Sequence, residues 1–528
     1  MVTSRVRNWS VGIVLAVAVI VAAWFGLERL VHNKVRDRLE EQALHLGARA
    51  TGYALTTSLW DGSVVITDLR FDTITRGHQD RFTIVGTVDT IVVHDIHWFR
   101  TLTSGLCLIG SVDVRGHDLR LMKHDTTDHS SSTRKKSKAL IDLKSLIVEQ
   151  LNVKLDNSAY IDTSNTRVER AAKHIVIATT GLHVPMKKES GDHAGWSQLS
   201  ATVLGFHQEA PDGYLIELDE MNFSGQNSTM DLHGIRFGPH EELATYGAKV
   251  EREKDVFAGH VDTLHFSGFN LTDVDLDHVA LGGSLRISSG AVTVLRDKRR
   301  PDPPFAVKPL IAGLIREFEE GQGLDTIRIS NVDITYLEHA EKGHGFAHVP
   351  ISSLQALVIG MRSLPDAVVQ VEAQATLFGS TPVTLSIEAP ATDSVEQFTM
   401  IAHIGRLAFR SLDPALRPLT GLSSNEGHMD TLIIRMSADS RNGHGSIAMA
   451  YDDLRVRSID KDMKGSAVTA ALGLLRRSHR EVDGRVETVS FDVTRRRDRA
   501  IFNYLWSGMR EGVKNTVMPG LLNTTEKN

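Results

Sequence analysis

Two kinds of apolar pattern run along the chain. The first is an unbroken run near the start, Val11 to Leu27 (VGIVLAVAVIVAAWFGL), without a single charge. The second begins at about residue 60. There, short stretches rich in Val, Ile, Leu, Thr and Phe alternate with polar residues and stop at Gly, Asn, Asp or Ser. Alternation with period two marks half-buried strands, so the body is predicted to be mainly β.

Within the β body one spacing recurs: apolar, two residues, apolar, one, apolar, two, apolar. It reads Ile66, Leu69, Phe71, Ile74, then Leu143, Leu146, Val148, Leu151, Val153. It returns as Val261, Leu264, Phe266, Phe269, Leu271 and as Leu324, Ile327, Ile329, Val332, Ile334, with partial copies from Ile109, Met429 and Val486. A straight strand would send Val332 and Ile334 to the face opposite Ile327 and Ile329. A bulge or tight turn at Ser330-Asn331 returns them to the same face, and Ser267-Gly268 holds the equivalent place in another copy. The copies are irregularly spaced, which excludes a fixed-period solenoid and predicts a long sheet of related hairpins with one apolar face.

A helix is expected over Val31–Ala50, continuing from the apolar run with mixed charges, and helical spacing predicts another over Lys308–Glu320, where Leu310, Ile311, Leu314, Ile315 and Phe318 share a face. A third is expected over Asp498–Val517, with Ile501, Leu505, Met509 and Val513 four apart, and a fourth over Ala467–Arg477. The resulting division is a short N-terminus (1–8), an anchor (9–28), a helical stalk (29–50), an N-terminal β unit (51–123) and a polar loop (124–138). A middle β part (139–300) and a C-terminal β part (301–528) follow, the latter with helices near 308–320, 467–477 and 498–517. The breaker-rich stretch Pro301–Pro304 marks the boundary between the last two.

The apolar run is long enough to cross a bilayer, which takes roughly 17–25 apolar residues. Trp9 and Trp24 flank it as interfacial aromatics, and Val14, Val17, Ile20 and Leu27 complete the anchor. The bulky Trp24, Phe25 and Leu27 do not suit the small-residue cleavage site of a signal peptide. A short basic N-terminus with Arg5 and Arg7 is expected to stay cytoplasmic, with the body exported, although positive charges flank the run on both sides.

Composition removes several functions. The net charge of −6 and the lack of a basic domain argue against nucleic acid as a partner. A single cysteine, Cys107, excludes an intramolecular disulfide, and its setting LCLIG predicts a buried, inert thiol. Of the 24 histidines, His94/His97, His124/His129 and His339/His344/His348 are close in sequence. None shows the helical i, i+4 spacing with glutamate of a zinc protease, and solvated or hydrogen-bonded roles are expected. Gly282-Gly283 and Ser288-Ser289-Gly290 read as turn chemistry, and Arg495-Arg496-Arg497 as a solvated or capping run before the last helix, with attraction to anionic lipid headgroups as the alternative. There is no nucleophile elbow, phosphate loop or dinucleotide fingerprint. No catalytic residue, metal ligand or cofactor is expected, and the protein is read as not an enzyme.

The segment from Arg497 through Lys514 (RDRAIFNYLWSGMREGVK), with Leu324–Glu338 and Tyr451–Val456, resembles the AsmA-like proteins of bacterial envelopes, in particular members from Bacteroidetes-type bacteria. That resemblance implies an inner-membrane-anchored periplasmic protein, related to TamB-like and bridge-like lipid carriers. It implies an elongated, curved antiparallel sheet with an apolar concave face, a role in outer-membrane homeostasis, and phospholipid as the partner. It brings no catalytic residues. The expected helices are too short to cover the whole sheet, which favours an open groove, with Leu264, Phe266, Phe269, Leu271, Ile327, Ile329, Val332 and Ile334 as its candidate lining. The competing expectation is a structural or assembly factor that pairs with envelope proteins through its sheet edges.

Overall fold

The computed structural model describes residues 28–58, 61–73, 82–97, 100, 104, 106–124, 144–162, 168–185, 194–268, 283–341, 345–458 and 486–517. The expected anchor residues Trp9, Val14, Val17, Ile20, Trp24 and Leu27, the expected helix at 467–477 and nearly all of the 124–138 loop lie outside them. No helix among the described residues is long and apolar enough to cross a membrane. The protein is mainly β, with few helices, as the alternating pattern predicts. Two compact units are present. The first holds the described residues of Met1–Arg236 and His265–Ala280, the second those of Phe237–Leu264 and Leu281–Asn528.

In the first unit, helix α1 (Glu28–His45) leads into β1 (Ala48–Thr51) and β2 (Ala54–Ser58), which share one edge of β3 (Ser63–Thr73). From β3 the sheet continues strand by strand through β4 (Phe82–Ile96), β5 (Leu106–Lys123), β6 (Ser145–Asp162), β7 (Val168–Pro185), β8 (Gln198–Glu209) and β9 (Tyr214–Ser224). Its core is one face of the sheet, with Ile66, Val93, Ile109, Val112 and Leu146 almost fully buried. Helix α1 closes that face through Val35, Leu39 and Ala43, four residues apart. Its outer side is tied down by Tyr53, whose hydroxyl donates to Glu40 Oε1 at 3.1 Å. Burial, and then Glu40, push that phenol up to about 12.

The strands β10 (Thr229–Pro239) and β11 (Asp255–Ser267) follow, with the short helix α2 (Leu243–Gly247) between them. The second unit continues with β12 (Ser284–Asp297), α3 (Ile311–Ile315), β13 (Gly323–His339), β14 (Phe346–Arg362), β15 (Val368–Leu377) and β16 (Thr381–Pro390). Then come β17 (Phe398–Ile404), β18 (Leu407–Ala408), α4 (Asp413–Thr420), β19 (Leu422–Ala438), β20 (Asn442–Ser458), β21 (Thr488–Thr494) and α5 (Ile501–Val517). From β12 to β17 and from β19 to β21 neighbours in sequence are neighbours in the sheet, with β17 and β18 both lying along β19.

The expectation of a purely antiparallel sheet is corrected at two places. Strands β5 and β6 run parallel in constant register from Leu106↔Ser145 to Lys123↔Asp162, and β12 and β13 do the same from Ser284↔Thr326 to Asp297↔His339. Parallel neighbours need a long crossover. The long connections after Lys123 and after Asp297 supply it, and Pro301–Pro304 lies within the second.

The bends inferred from the apolar spacing at Asp68 and Ser330-Asn331 are present as bulges inside continuous strands, whereas at Ser267-Gly268 the strand β11 ends and the residues that follow lie outside the described ones. The register of β13 on β14 shifts between Ile329 and Val332, and Asn331 there has a φ of +54°. Between Ile66 and Leu69 the same job falls to Asp68, at +57°. On β6, Glu149 and Gln150 turn outward between buried Val148 and Leu151. Left-handed backbone recurs mid-strand at Asp95, Asp118, Asn157, Ser289, Ser353 and Asp453. Most of these are Asp or Asn, whose short polar side chains tolerate this region best among residues with a Cβ. In the parallel pair the bulges match, since Ser288↔Ser330 and Gly290↔Val332 bracket Ser289 and Asn331. Ser288-Ser289-Gly290, which reads as a turn, is therefore a bulge within β12.

Two buried ionic groups fasten the second unit's helices. Arg499 Nη1 donates to Glu253 Oε1 at 2.7 Å, and Arg499 Nη2 to Asp302 Oδ1 at 2.7 Å. Glu396 accepts from the Leu310 backbone N–H at 3.1 Å and from Arg316 at 2.7 Å. The expected helix over 308–320 is only the single turn α3. Leu310, Ala312 and Ile315 are buried, but Leu314 is 45% exposed. The side chain of Glu396 presses on Gly313, where a Cβ would collide, so the inward face is set by small residues and not by the apolar spacing alone.

Candidate functional site

The second unit carries one continuous apolar row. Leu285 and Ile287 on β12 lie beside Ile327 and Ile329 on β13, and these beside Val358 and Ala356 on β14. The row passes to Val371 and Ala373, to Ile387 and Leu385, to Met400 and Ala402, to Met436 and Ile434, and ends at Ile447 and Phe491. The bulges keep Val332 and Ile334 on the same face, beside Gly290 and Val292. Strand alternation gives the opposite face Arg286, Arg328, Gln370, Glu372 and Ser386.

Cover along this row is uneven. At the β19–β21 end, α5 packs Tyr504, Gly508 and Gly512 onto Met436, Phe491 and Ile447. Over β15 and β16, Ile315 of α3 joins Val369, with Val358 and Val371 against it. Helix α4 packs along β14 and touches β13. Leu285, Ile287, Ile327, Ile329 and Ala356 remain only half-buried and join none of these packed clusters. Val332 is buried at 6% exposure and Ile334 half-buried.

The first unit shows the same gradient. Its core runs from β3 to Leu182 on β7, with Ile175, Ile177 and Val184 packed at its margin. Beyond that, Val203 pairs with Ile175 and Met221 with Val203, and both are half-buried.

The candidate lining residues thus separate into groups. Ile327, Ile329, Val332 and Ile334 share one face and are joined there by Leu285, Ile287 and Ala356. Leu264 and Phe266 are half-buried, two residues apart on β11. Phe269 and Leu271 lie outside the described residues. The apolar spacing does not reveal Leu285 and Ile287, because Gly290 stands where Val332 stands on β13 and leaves the pattern of β12 incomplete.

The other face is polar and internally paired. Histidines serve there as partners of carboxylates: His117 with Asp89 at 2.7 Å, His174 with Asp156 at 2.5 Å and His265 with Asp231 at 2.6 Å. Arg236 bridges Glu217 and Asp219, and its hydrogen bond holds the Asp219 carboxyl below the usual range. A depression of about 210 Å³ lined by Asp113, Val114, Arg115, Asn152 and Lys154 is spanned by a hydrogen bond from Asn152 to Asp113. His339 is buried, stacked edge-on against Phe346, and Cys107 is buried. Among the described residues no group of three or more His, Cys, Asp or Glu is placed to hold a metal.

Chemically, the half-buried rows offer apolar contact and nothing reactive. Burying a methylene there is worth about 0.8 kcal/mol, so ten methylenes of a bound chain gain roughly 8 kcal/mol before the loss of its freedom. No family model matches the chain, and no curated protein matches its sequence.

Proposed function

We propose that this is a membrane-anchored periplasmic protein that binds or conducts phospholipid along the apolar face of its sheet, in the manner of AsmA-like proteins, and so supports the outer membrane. The single observation that carries the reading is the half-buried row Leu285, Ile287, Ile327, Ile329 and Ala356. It lies outside the packed clusters, beside stretches of the same row that helices do cover. Strands lie about 4.8 Å apart, so the strip across β12–β14 is about 10 Å wide, enough for acyl chains with headgroups left in water. Residues 9–28 serve as the anchor in this reading.

Ile329→Asp and Phe266→Asp place a charge on half-buried positions without emptying a packed core. Titration with a fluorescent phospholipid should show binding to the parent chain and loss of at least tenfold in affinity in each variant, with unchanged circular dichroism. Unchanged binding in both folded variants refutes the apolar face as the lipid site.

A further inference from the structure

Helix α5 is fixed by one face and advertises another. Its inward side is settled: Tyr504, Gly508, Gly512 and Thr516 are buried, and a Cβ at Gly512 would sit 3.0 Å from Phe491. Its outward side repeats every four residues as Phe502, Trp506, Arg510 and Lys514. Phe502 is 75% and Trp506 57% exposed, and both cations are largely exposed as well. A soluble helix places polar residues on that face, so two large aromatics followed by two cations require an explanation.

A second segment is tied to the residues just before the helix. Residues 302–308 are pinned at both ends: Arg499 donates to Asp302 at 2.7 Å, and the Lys308 N–H donates to the Arg497 carbonyl at 2.8 Å. Between these pins stands Phe305, 73% exposed. Lys308 at one pin, and Arg496 and Arg497 in the segment it is tied to, are exposed as well. The nearby carboxylates are engaged, Asp302 and Asp498 with Arg499 and Arg496, and Glu511 between Arg510 and Lys514. Cations outnumber carboxylates on this patch, although the whole chain carries a net charge of −6.

We propose that this face, Phe502 and Trp506 with Phe305 and the surrounding arginines, docks the C-terminal unit onto the surface of an anionic lipid membrane. Interfacial helices sink aromatic side chains a few ångströms into the headgroup boundary while Lys and Arg stay at the phosphate level. Each cation near such a surface contributes about a fivefold factor in association. This docking is independent of the apolar strip on β12–β14, because it uses the outer side of the helix and needs no acyl chain on the sheet.

The test uses the full chain held in amphipol, carrying an environment-sensitive fluorophore at Phe502→Cys. Cys107 is buried, so labelling is directed to the new thiol. The probe reports the helix itself, and binding through any other segment leaves it unmoved. Vesicles of phosphatidylglycerol with phosphatidylcholine should shift its emission to the blue, and pure phosphatidylcholine should shift it far less. Combining Arg496→Glu, Arg497→Glu and Arg510→Glu should weaken the anionic-vesicle response on the order of a hundredfold. Trp506→Ser, at an exposed site, should weaken it with unchanged thermal stability. A probe unmoved by anionic vesicles overturns the proposal, as does an equal response to both vesicle types. A response that appears only on adding envelope protein also overturns it and points to a protein partner instead.

Discussion

Asn331→Val gives a test of the bulge whose sign is informative. In a regular strand this change should stabilise, since valine exceeds asparagine in β preference by up to about 1 kcal/mol. At Asn331 the backbone is left-handed, with φ +54°, and the side chain is exposed, so no burial term enters. A left-handed conformation costs an ordinary residue about 1–2 kcal/mol, and a β-branched side chain sits at the upper end of that range. The expected net effect is therefore destabilisation of about 1 kcal/mol, with Asn331→Gly near neutral. Ser330→Val, one residue earlier and outside the left-handed region, serves as the control and should move stability by less than about 0.5 kcal/mol. Native-state hydrogen exchange of the β13 amides reads the local free energy without requiring the two units to unfold together. A stabilising Asn331→Val would refute the bulge, and with it the argument that Ile327, Ile329, Val332 and Ile334 face one way.

Two further predictions concern the ionic groups. Arg499→Met leaves Glu253, whose side chain is 3% exposed, buried without its main partner; a loss of about 3–5 kcal/mol is expected by urea denaturation, largely recovered on adding Glu253→Gln. Asp297 accepts two hydrogen bonds from the Arg299 guanidinium, at 2.8 and 2.7 Å, and one from the Arg299 backbone N–H at 3.0 Å, and these hold its carboxyl below the usual range. A depressed folded value contributes stability that is complete above the unfolded value of about 4 and disappears as pH falls through the folded one. Exchange protection at the end of β12 should therefore be flat from about pH 5 to 8 and fall below about pH 4, and Asp297→Asn should flatten that fall; an unchanged acid profile in the variant contradicts the assignment.

The sequence discloses the strands, the bulges and the shared face of Ile327 through Ile334 because one departure from period two leaves a readable doublet. It does not disclose which neighbours run parallel. A bulged parallel strand such as β6 buries Leu146, Val148, Leu151 and Val153 with the spacing an antiparallel one would use. Small residues are invisible to an apolar pattern, so the close approach of Gly508 and Gly512 to the sheet, and the role of Gly313 beside Glu396, emerge only in three dimensions. The same holds for α1, whose charged sequence hides Val35, Leu39 and Ala43 as the cover of the first unit's core. The extent of cover over each stretch of the apolar row depends on helix placement, which periodicity does not encode.

The most direct measurement is mass spectrometry of the lipid that co-purifies with the chain from Glu28 onward, which keeps α1 and its core contacts, compared with its Ile329→Asp variant. Stoichiometric phospholipid that survives exchange into lipid-free buffer in the parent and disappears in the folded variant is the expected result. A folded, lipid-free parent would contradict a lipid-binding face.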